Sequence, residues 1–496
     1  MRDHIGSRAG PALLWQSGRL VGTKLIFVVR TLILARLLTP EDFGLVAIAV
    51  VGVELMLTLT ELGMIPALVQ QPDADRHQYD LAWTVGLGRG LVIAAAVFVA
   101  APAVAAFFGE PRAVALLRFM ALRPLLDGIA SIRVAVLIRE LRFRSLTLLH
   151  LPEALVNAVV SVGLAHAIGV WAIVVGALVS KAAYVITSYT VAPYRPRFAF
   201  DAGAARPLVQ FGRWIFAVGI VSFIGRALLQ AAISRRLGTA ELGLYVLASR
   251  LAFLPSEFAT DVVGAVAFPL YVQLRDDPER VSRIFRSLVI GLAALLVPAS
   301  VVLIALAPSL ASDVLGSRWD GTAPLIRVLS LAGMIGLLGD AIIPMFRGFG
   351  RPERQFAVEF VQSVVLAAAA WLLAGPVGVV GAALAWVVAS SASQALGATF
   401  VRKMLTSPFT GLTPPMVAIV AASLTGGSVA WGIDQLIPGP LGFVVAVVTS
   451  TVVIIALEWT LDRWFDLGLT QDLERLFPRF RPFLRMRYEG IVASAK

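Results

Sequence analysis

Apolar runs follow one another from near residue 13 to near residue 460, and they constrain this chain more than any other feature, because a soluble fold has nowhere to put them. Crossing a bilayer as a helix takes roughly 20 mainly apolar residues. Runs of that length fall near 13 to 35, 43 to 66, 81 to 108, 113 to 137, 146 to 168 and 170 to 192. After a polar stretch from Pro193 to Pro207 they resume near 208 to 234, 242 to 270, 287 to 315, 322 to 346, 356 to 374 and 377 to 401, and then near 414 to 432 and 440 to 460. The expected fold is an all-α polytopic membrane protein of about 14 transmembrane helices. A composition of 58% hydrophobic and 15% charged residues agrees, since a soluble domain could not cover its surface with so few polar groups.

Lys and Arg retained on the cytoplasmic side set the orientation. One set of connections carries Arg139, Arg142 and Arg144; Arg195, Arg197 and Arg206; Arg275, Arg280, Arg283 and Arg286; Arg347, Arg351 and Arg354; and Arg402 with Lys403. The opposite set carries Arg36, Arg112, Arg235, Arg236 and Arg318, each near a carboxylate. The first set is therefore assigned to the cytoplasm, and with it both termini, in a bacterial inner (plasma) membrane protein. One inner connection fits poorly, because Asp73, Asp75 and Asp80 outnumber Arg76 there. The first apolar stretch is interrupted by Arg19, Lys24 and Arg30 and lacks a small-residue cleavage site, so it is expected to remain as a helix.

The same features exclude several kinds of chemistry. With no Cys and four scattered His, neither a thiolate site nor a His-rich metal centre is expected, and no cofactor is implied. The net charge of +11 resides largely in short connections, which argues for membrane orientation and against nucleic acid. GLGRG at 86 to 90 lies inside an apolar run with no strand before it, so it reads as a stripe of small residues for helix packing. No catalytic residue emerges.

Internal similarity organises the chain further. ARLLTPEDFGLVAIA at 35 to 49 and SRRLGTAELGLYVLA at 234 to 248 occupy equivalent places between spans 1 and 2 and spans 7 and 8. ALLRFMAL at 115 to 122 pairs with PLIRVLSL at 324 to 331, and LIREL at 137 to 141 with MFRGF at 345 to 349. The halves read as two parallel six-helix repeats, the arrangement of transporters that rock about a central cavity. Residues 1 to 192 form an N-terminal lobe, 193 to 207 a cytoplasmic linker and 208 to 405 a C-terminal lobe. Two further helices fill 406 to 460, and a basic amphipathic cytoplasmic tail runs from 461 to 496. Thr39 is placed to cap span 2, with Pro40 in the first helical position and Glu41 and Asp42 at the positive dipole end.

An ionised side chain at mid-membrane costs roughly 2.5 to 3.5 kcal/mol, so each one calls for a partner or a wet cavity. Arg19, Lys24 and Arg30 in span 1, Arg118 in span 4, Arg226 in span 7 and Arg327 in span 10 are candidates for lining a cavity that neutralises an anion. Glu54 and Glu61 in span 2, seven residues apart, and Glu257 and Asp261 at i, i+4 in span 8 are candidates for ion coupling. Arg123 and Asp127, also at i, i+4, are a candidate ion pair. The same charges equally fit interhelical ion pairs or snorkelling at span ends.

ARLLTPEDFGL, LIRELRFRSL at 137 to 146, FPLYVQLRDDPER at 268 to 280 and GSRWDGTAPLIRVL at 316 to 329 together resemble the polysaccharide-synthase, or Wzx-like, oligosaccharide flippases. Those belong to the multidrug/oligosaccharidyl-lipid/polysaccharide exporter superfamily. The resemblance runs from about residue 10 to 405. It implies alternating-access translocation of an undecaprenyl-pyrophosphate-linked oligosaccharide for exopolysaccharide, O-antigen or capsule assembly, beside a polysaccharide polymerase or export machinery. It also implies phosphate binding by basic residues of the first helix, here Lys24 and Arg30. A multidrug/cation antiporter of the same superfamily is the alternative. A polymerase or glycosyltransferase would need a larger outer loop.

Overall fold

The computed structural model describes residues 3–59, 68, 75–140, 142–199 and 213–465, and every regular element among them is helical. In order these are α1 (Asp3–Leu37), α2 (Pro40–Leu59), α3 (Arg76–Phe108), α4 (Ala113–Met120), α5 (Leu122–Ile129), α6 (Val134–Arg139), α7 (Phe143–Ile168), α8 (Trp171–Val191), α9 (Arg213–Leu237), α10 (Thr239–Ala252), α11 (Leu254–Leu274), α12 (Pro278–Ser309), α13 (Thr322–Gly348), α14 (Pro352–Val377), α15 (Val379–Met404), α16 (Thr413–Leu436) and α17 (Pro440–Phe465). Ten helical segments among the described residues are long and apolar enough to cross a membrane. α1 falls outside that set by charge, because Arg19, Lys24 and Arg30 interrupt it. Bare apolar side chains such as Val99 (78% exposed) and Leu372 (71%) require lipid as their solvent, so the chain is a multi-pass membrane protein. The basic tail beyond residue 465 lies outside the described residues.

The helices gather into two compact units, residues 1–243 and 244–496. In the first, Thr39 and Asp42 form a reciprocal cap: Asp42 accepts from the Thr39 backbone N–H (2.9 Å) and hydroxyl (2.8 Å), while the Thr39 oxygen faces the Asp42 N–H (3.3 Å). The run at 113 to 137 is not one continuous helix. Pro124 has no N–H to offer Met120, and Ala130 leaves the helix at φ −57°, ψ 153°. The chain is instead held there by Ser131, whose N–H reaches the Ser188 hydroxyl (3.0 Å) and whose own hydroxyl reaches the Ala192 carbonyl (2.8 Å). The run at 242 to 270 breaks similarly at Phe253, just before Pro255.

Helix crossings use missing side chains. A Cβ on Gly90 would lie 2.6 Å from the Pro124 carbonyl oxygen, and one on Gly128 would lie 2.6 Å from that of Gly86, so the GLGRG stripe is the groove in which α5 lies. The starts of α2 and α10 cross more tightly. A Cβ on Gly44 would come within 2.0 Å of the Thr239 carbonyl oxygen, and one on Gly243 within 1.7 Å of that of Pro40. The two glycines hold the same place in the similar segments 35 to 49 and 234 to 248, and each packs against the helix start of the other segment.

In the second unit Tyr271, Phe285, Ile342 and Phe346 form the centre of a buried apolar cluster. Tyr271 fits beneath Gly348, where a Cβ would meet its side chain at 2.9 Å. α16 and α17 close on α12 through Leu306, Ala430 and Ile454, and the buried Asp434 accepts the Ser309 hydroxyl.

Candidate functional site

α1 packs along α7, and eleven residues at about 100° each bring Arg19 and Arg30 back to one face. Both line a cavity of about 310 Å³ together with Thr23, His150, Glu153, Asn157 and Ser180. The Arg30 guanidinium donates to Asn157 Oδ1, whose amide in turn reaches the Ser180 hydroxyl at 3.1 Å. Arg30 also lies 5.8 Å from the Phe27 ring centroid. The cavity is thus lined on one side by guanidinium forks and on the other by the hydrogen-bonding groups of Asn157 and Ser180, with His150 and the Glu153 carboxylate beside them.

Behind it runs a line of charge through the interior of the first unit. Lys181 Nζ is 2.8 Å from Asp127 Oδ1, 3.4 Å from Glu153 Oε1 and 4.4 Å from the Tyr184 ring centroid, with its side chain only 14% exposed. His150 Nδ1 stands 3.5 Å from Glu153. Asp127 and Lys181 also line a second cavity of about 230 Å³ that includes Arg89, so the Lys181–Glu153 pair separates two polar spaces. Removing the lysine leaves Asp127 and Glu153 without the cation they share. Lys181→Met is expected to cost about 3 kcal/mol in thermal unfolding of the purified protein. Adding Glu153→Gln should recover a large part of that loss, and a double variant no more stable than the single would refute the pairing.

The structure gathers few of the residues singled out from the sequence. Lys24 is half-buried but does not line the Arg19/Arg30 cavity. Arg118 is exposed, 4.9 Å from the Phe98 ring centroid. Arg226 is exposed, and Arg327, also exposed, donates to the Ile304 carbonyl at 3.3 Å. Glu54 and Glu257 are exposed on α2 and α11, and Glu54 does not line this cavity. Glu61 lies outside the described residues, as does the side chain of Asp261. Asp127 pairs with Lys181 rather than with Arg123, because α5 packs against α8 and brings a cation from another helix closer than the one on its own. His150, Glu153, Asn157, Ser180 and Lys181 escaped the sequence reading. Glu153 and Lys181 are charged residues within the apolar runs 146 to 168 and 170 to 192, so the cost of intramembrane charge was a signal that could have found them.

At the end of the unit carrying the Gly44/Gly243 crossing, charged groups fasten the connections together. Arg112 bonds both oxygens of Glu110 (2.7 and 2.8 Å) and Glu41 (2.7 Å), and the Thr239 hydroxyl donates to Glu110 at 2.7 Å. The Ser234 hydroxyl adds a bond to the Phe108 carbonyl. The Arg112 hydrogen bond, reinforced by that of Thr239, holds the Glu110 carboxyl down at about 2, so this fastening keeps its charge across physiological pH.

Two helical units, with a cavity inside the first lined by two arginines and hydrogen-bonding groups, define a polytopic membrane protein. The model of the polysaccharide biosynthesis protein family matches residues 33–324, and the chain belongs to that family. It is 29% identical over 351 residues to the succinoglycan biosynthesis transport protein ExoT of Rhizobium meliloti, covering 71% of each chain. It is 23% identical to the lipopolysaccharide biosynthesis protein WzxC of Escherichia coli, covering 71% of this chain and 73% of that one. Among solved structures, the lipid II flippase MurJ in an inward closed conformation matches with a TM-score of 0.74 at 14% identity, over 91% of this chain and 99% of that one. An inward-facing multidrug resistance MATE family transporter of the MOP superfamily matches at 0.63 and 16% identity, over 80% and 98%.

Proposed function

We propose that this protein is a flippase that carries a polyprenyl-pyrophosphate-linked oligosaccharide across the inner membrane for the assembly of a surface polysaccharide. The observation that carries the reading is the Arg19/Arg30 cavity: two arginines on one face of α1, opposite Asn157, Ser180 and His150. A pyrophosphate needs converging guanidinium forks, and the attached sugars need neutral donors and acceptors; this wall supplies both. The relatives named for succinoglycan transport and lipopolysaccharide biosynthesis support the same substrate class. On this reading the chain crosses the membrane about fourteen times, as two parallel six-helix halves and two added helices, with both termini cytoplasmic. The reciprocal Gly44/Gly243 crossing supports the repeat. On the same reading the crossing is an outer closure for alternating access. The protein acts as a transporter beside a polymerase rather than as an enzyme.

Reconstituted into vesicles, the protein is expected to make a polyprenyl-pyrophosphate oligosaccharide in one leaflet accessible to a sugar-cleaving enzyme on the other side. Empty vesicles should not, and cells expressing the protein should not extrude ethidium. Ethidium extrusion without lipid translocation would establish the cation antiporter in its place.

A further inference from the structure

Residues 192–199 leave α8 in extended conformation and are fastened to the first unit at a second polar centre, far along α3 from the Gly44/Gly243 end. Asp80, buried one turn into α3, accepts the Tyr194 hydroxyl and the Arg197 N–H (3.2 Å). Thr84 takes the Ala199 N–H (3.1 Å). The Asp75–Gln78 capping box begins the helix beside them, and these roles account for Asp75 and Asp80 in the connection where carboxylates outnumber Arg76. Burial, with the hydrogen bond that the Tyr194 hydroxyl donates to this carboxylate, holds the phenol well above its ordinary range.

Fastened in this way, the strap turns two carbonyls toward arginines. Pro193 O accepts from Arg133 Nη1 (3.3 Å) and Arg195 O from Arg76 Nη2 (3.5 Å). Arg76, Arg133 and Arg195, with Tyr79, Pro193 and Tyr194, enclose a cavity of about 440 Å³. Among the described residues Asp80 is the single carboxylate within ion-pair distance of these arginines, its Oδ2 3.8 Å from Arg76, while its Oδ1 serves Tyr194 and Arg197. Three guanidiniums against one carboxylate leave the pocket with a net charge of +2. A guanidinium presents five donors in a planar fork, so one bond to a carbonyl leaves most of the fork for a tetrahedral anion. The setting is interfacial: the same strap carries Phe198, three residues beyond Arg195, exposed and meeting the Trp83 ring edge-on at 5.7 Å.

We propose that this pocket binds the phosphate of an anionic phospholipid headgroup, fixing the strap that follows α8 to the membrane surface. Phe198, exposed on the same strap, gives a lipid what a free phosphate cannot use, an apolar neighbour for the glycerol and acyl chains. In the second unit the comparable connection after α15 is held by Arg286, which commits itself to the Thr410 carbonyl (3.1 Å) and hydroxyl (3.0 Å), so it serves as an internal comparison.

The experiment is native mass spectrometry of the full chain extracted from bilayers of equal phosphatidylglycerol and phosphatidylcholine, with thermal unfolding to show that each variant is folded. The wild type is expected to retain one phosphatidylglycerol in preference to phosphatidylcholine. Arg133→Gln/Arg195→Gln should bind it roughly 30-fold more weakly, at about 1 kcal/mol for each arginine, while Arg286→Gln retains it. Equal retention of the two lipids, or unchanged retention by the double variant, would overturn the proposal. So would displacement of the lipid by millimolar inorganic phosphate, which would identify a free anion as the ligand.

Discussion

Arg30→Ala is expected to cut polymer export roughly a hundredfold while the protein still inserts and accumulates in the membrane. The side chain sits on α1 against the polar wall of α7 and α8, in contact with Asn157, and its loss removes a guanidinium from the cavity assigned to the pyrophosphate. Truncating one partner of a desolvated, hydrogen-bonded charge pair costs about 3 kcal/mol, which is roughly a hundredfold in transport at limiting substrate. Arg30→Lys should recover little of it, because an ammonium is a point charge and cannot hold an amide oxygen and a phosphate in one plane. Export and membrane abundance are measured together in a strain lacking its own copy. Wild-type export by Arg30→Ala would end the phosphate-binding role of this cavity, whereas loss of protein from the membrane would assign Arg30 to structure instead.

Gly243→Val and Gly44→Val are expected to be as damaging by a different route. No Cβ fits at 1.7 Å or 2.0 Å from a carbonyl oxygen, and in both crossings the atom met is backbone, which has no rotamer by which to yield. The starts of α2 and α10 must therefore separate, and the fastening through Glu41, Glu110, Arg112 and Thr239 must loosen with them. The chain contains no cysteine, so a single probe can read this out. Leu242→Cys places a thiol at a fully buried position beside the crossing. Its labelling by a membrane-impermeant maleimide should rise at least tenfold when Gly44→Val is added, with export lost. Unchanged labelling and export in that double variant would show that the crossing is not a closure the protein depends on.

The membrane class was legible at once, because the cost of exposing an apolar run to water needs no partner to be known. Glycines 44 and 243 were legible as matched residues of a repeat, but that they meet each other was not. Their role depends on two helix starts far apart in sequence arriving at one place. The breaks at Ala130 and Phe253 had a local sign in Pro124 and Pro255, which a count of apolar residues passes over because proline scarcely alters hydropathy.

The charges divide in the same way. Arg19 and Arg30 were paired correctly from helical periodicity alone, since both lie on one helix and about 100° per residue decides which face they share. Asp127 was not, because i, i+4 spacing offered Arg123 while the folded chain supplied Lys181 from another helix. Length, apolar patterning, charge asymmetry and the internal repeat were determined by the sequence itself, through forces that act along the chain or between the chain and its solvent. Which of the many intramembrane charges converge on one cavity was decided only by tertiary structure. An ion pair depends on distance across helices, and sequence spacing measures distance only along one.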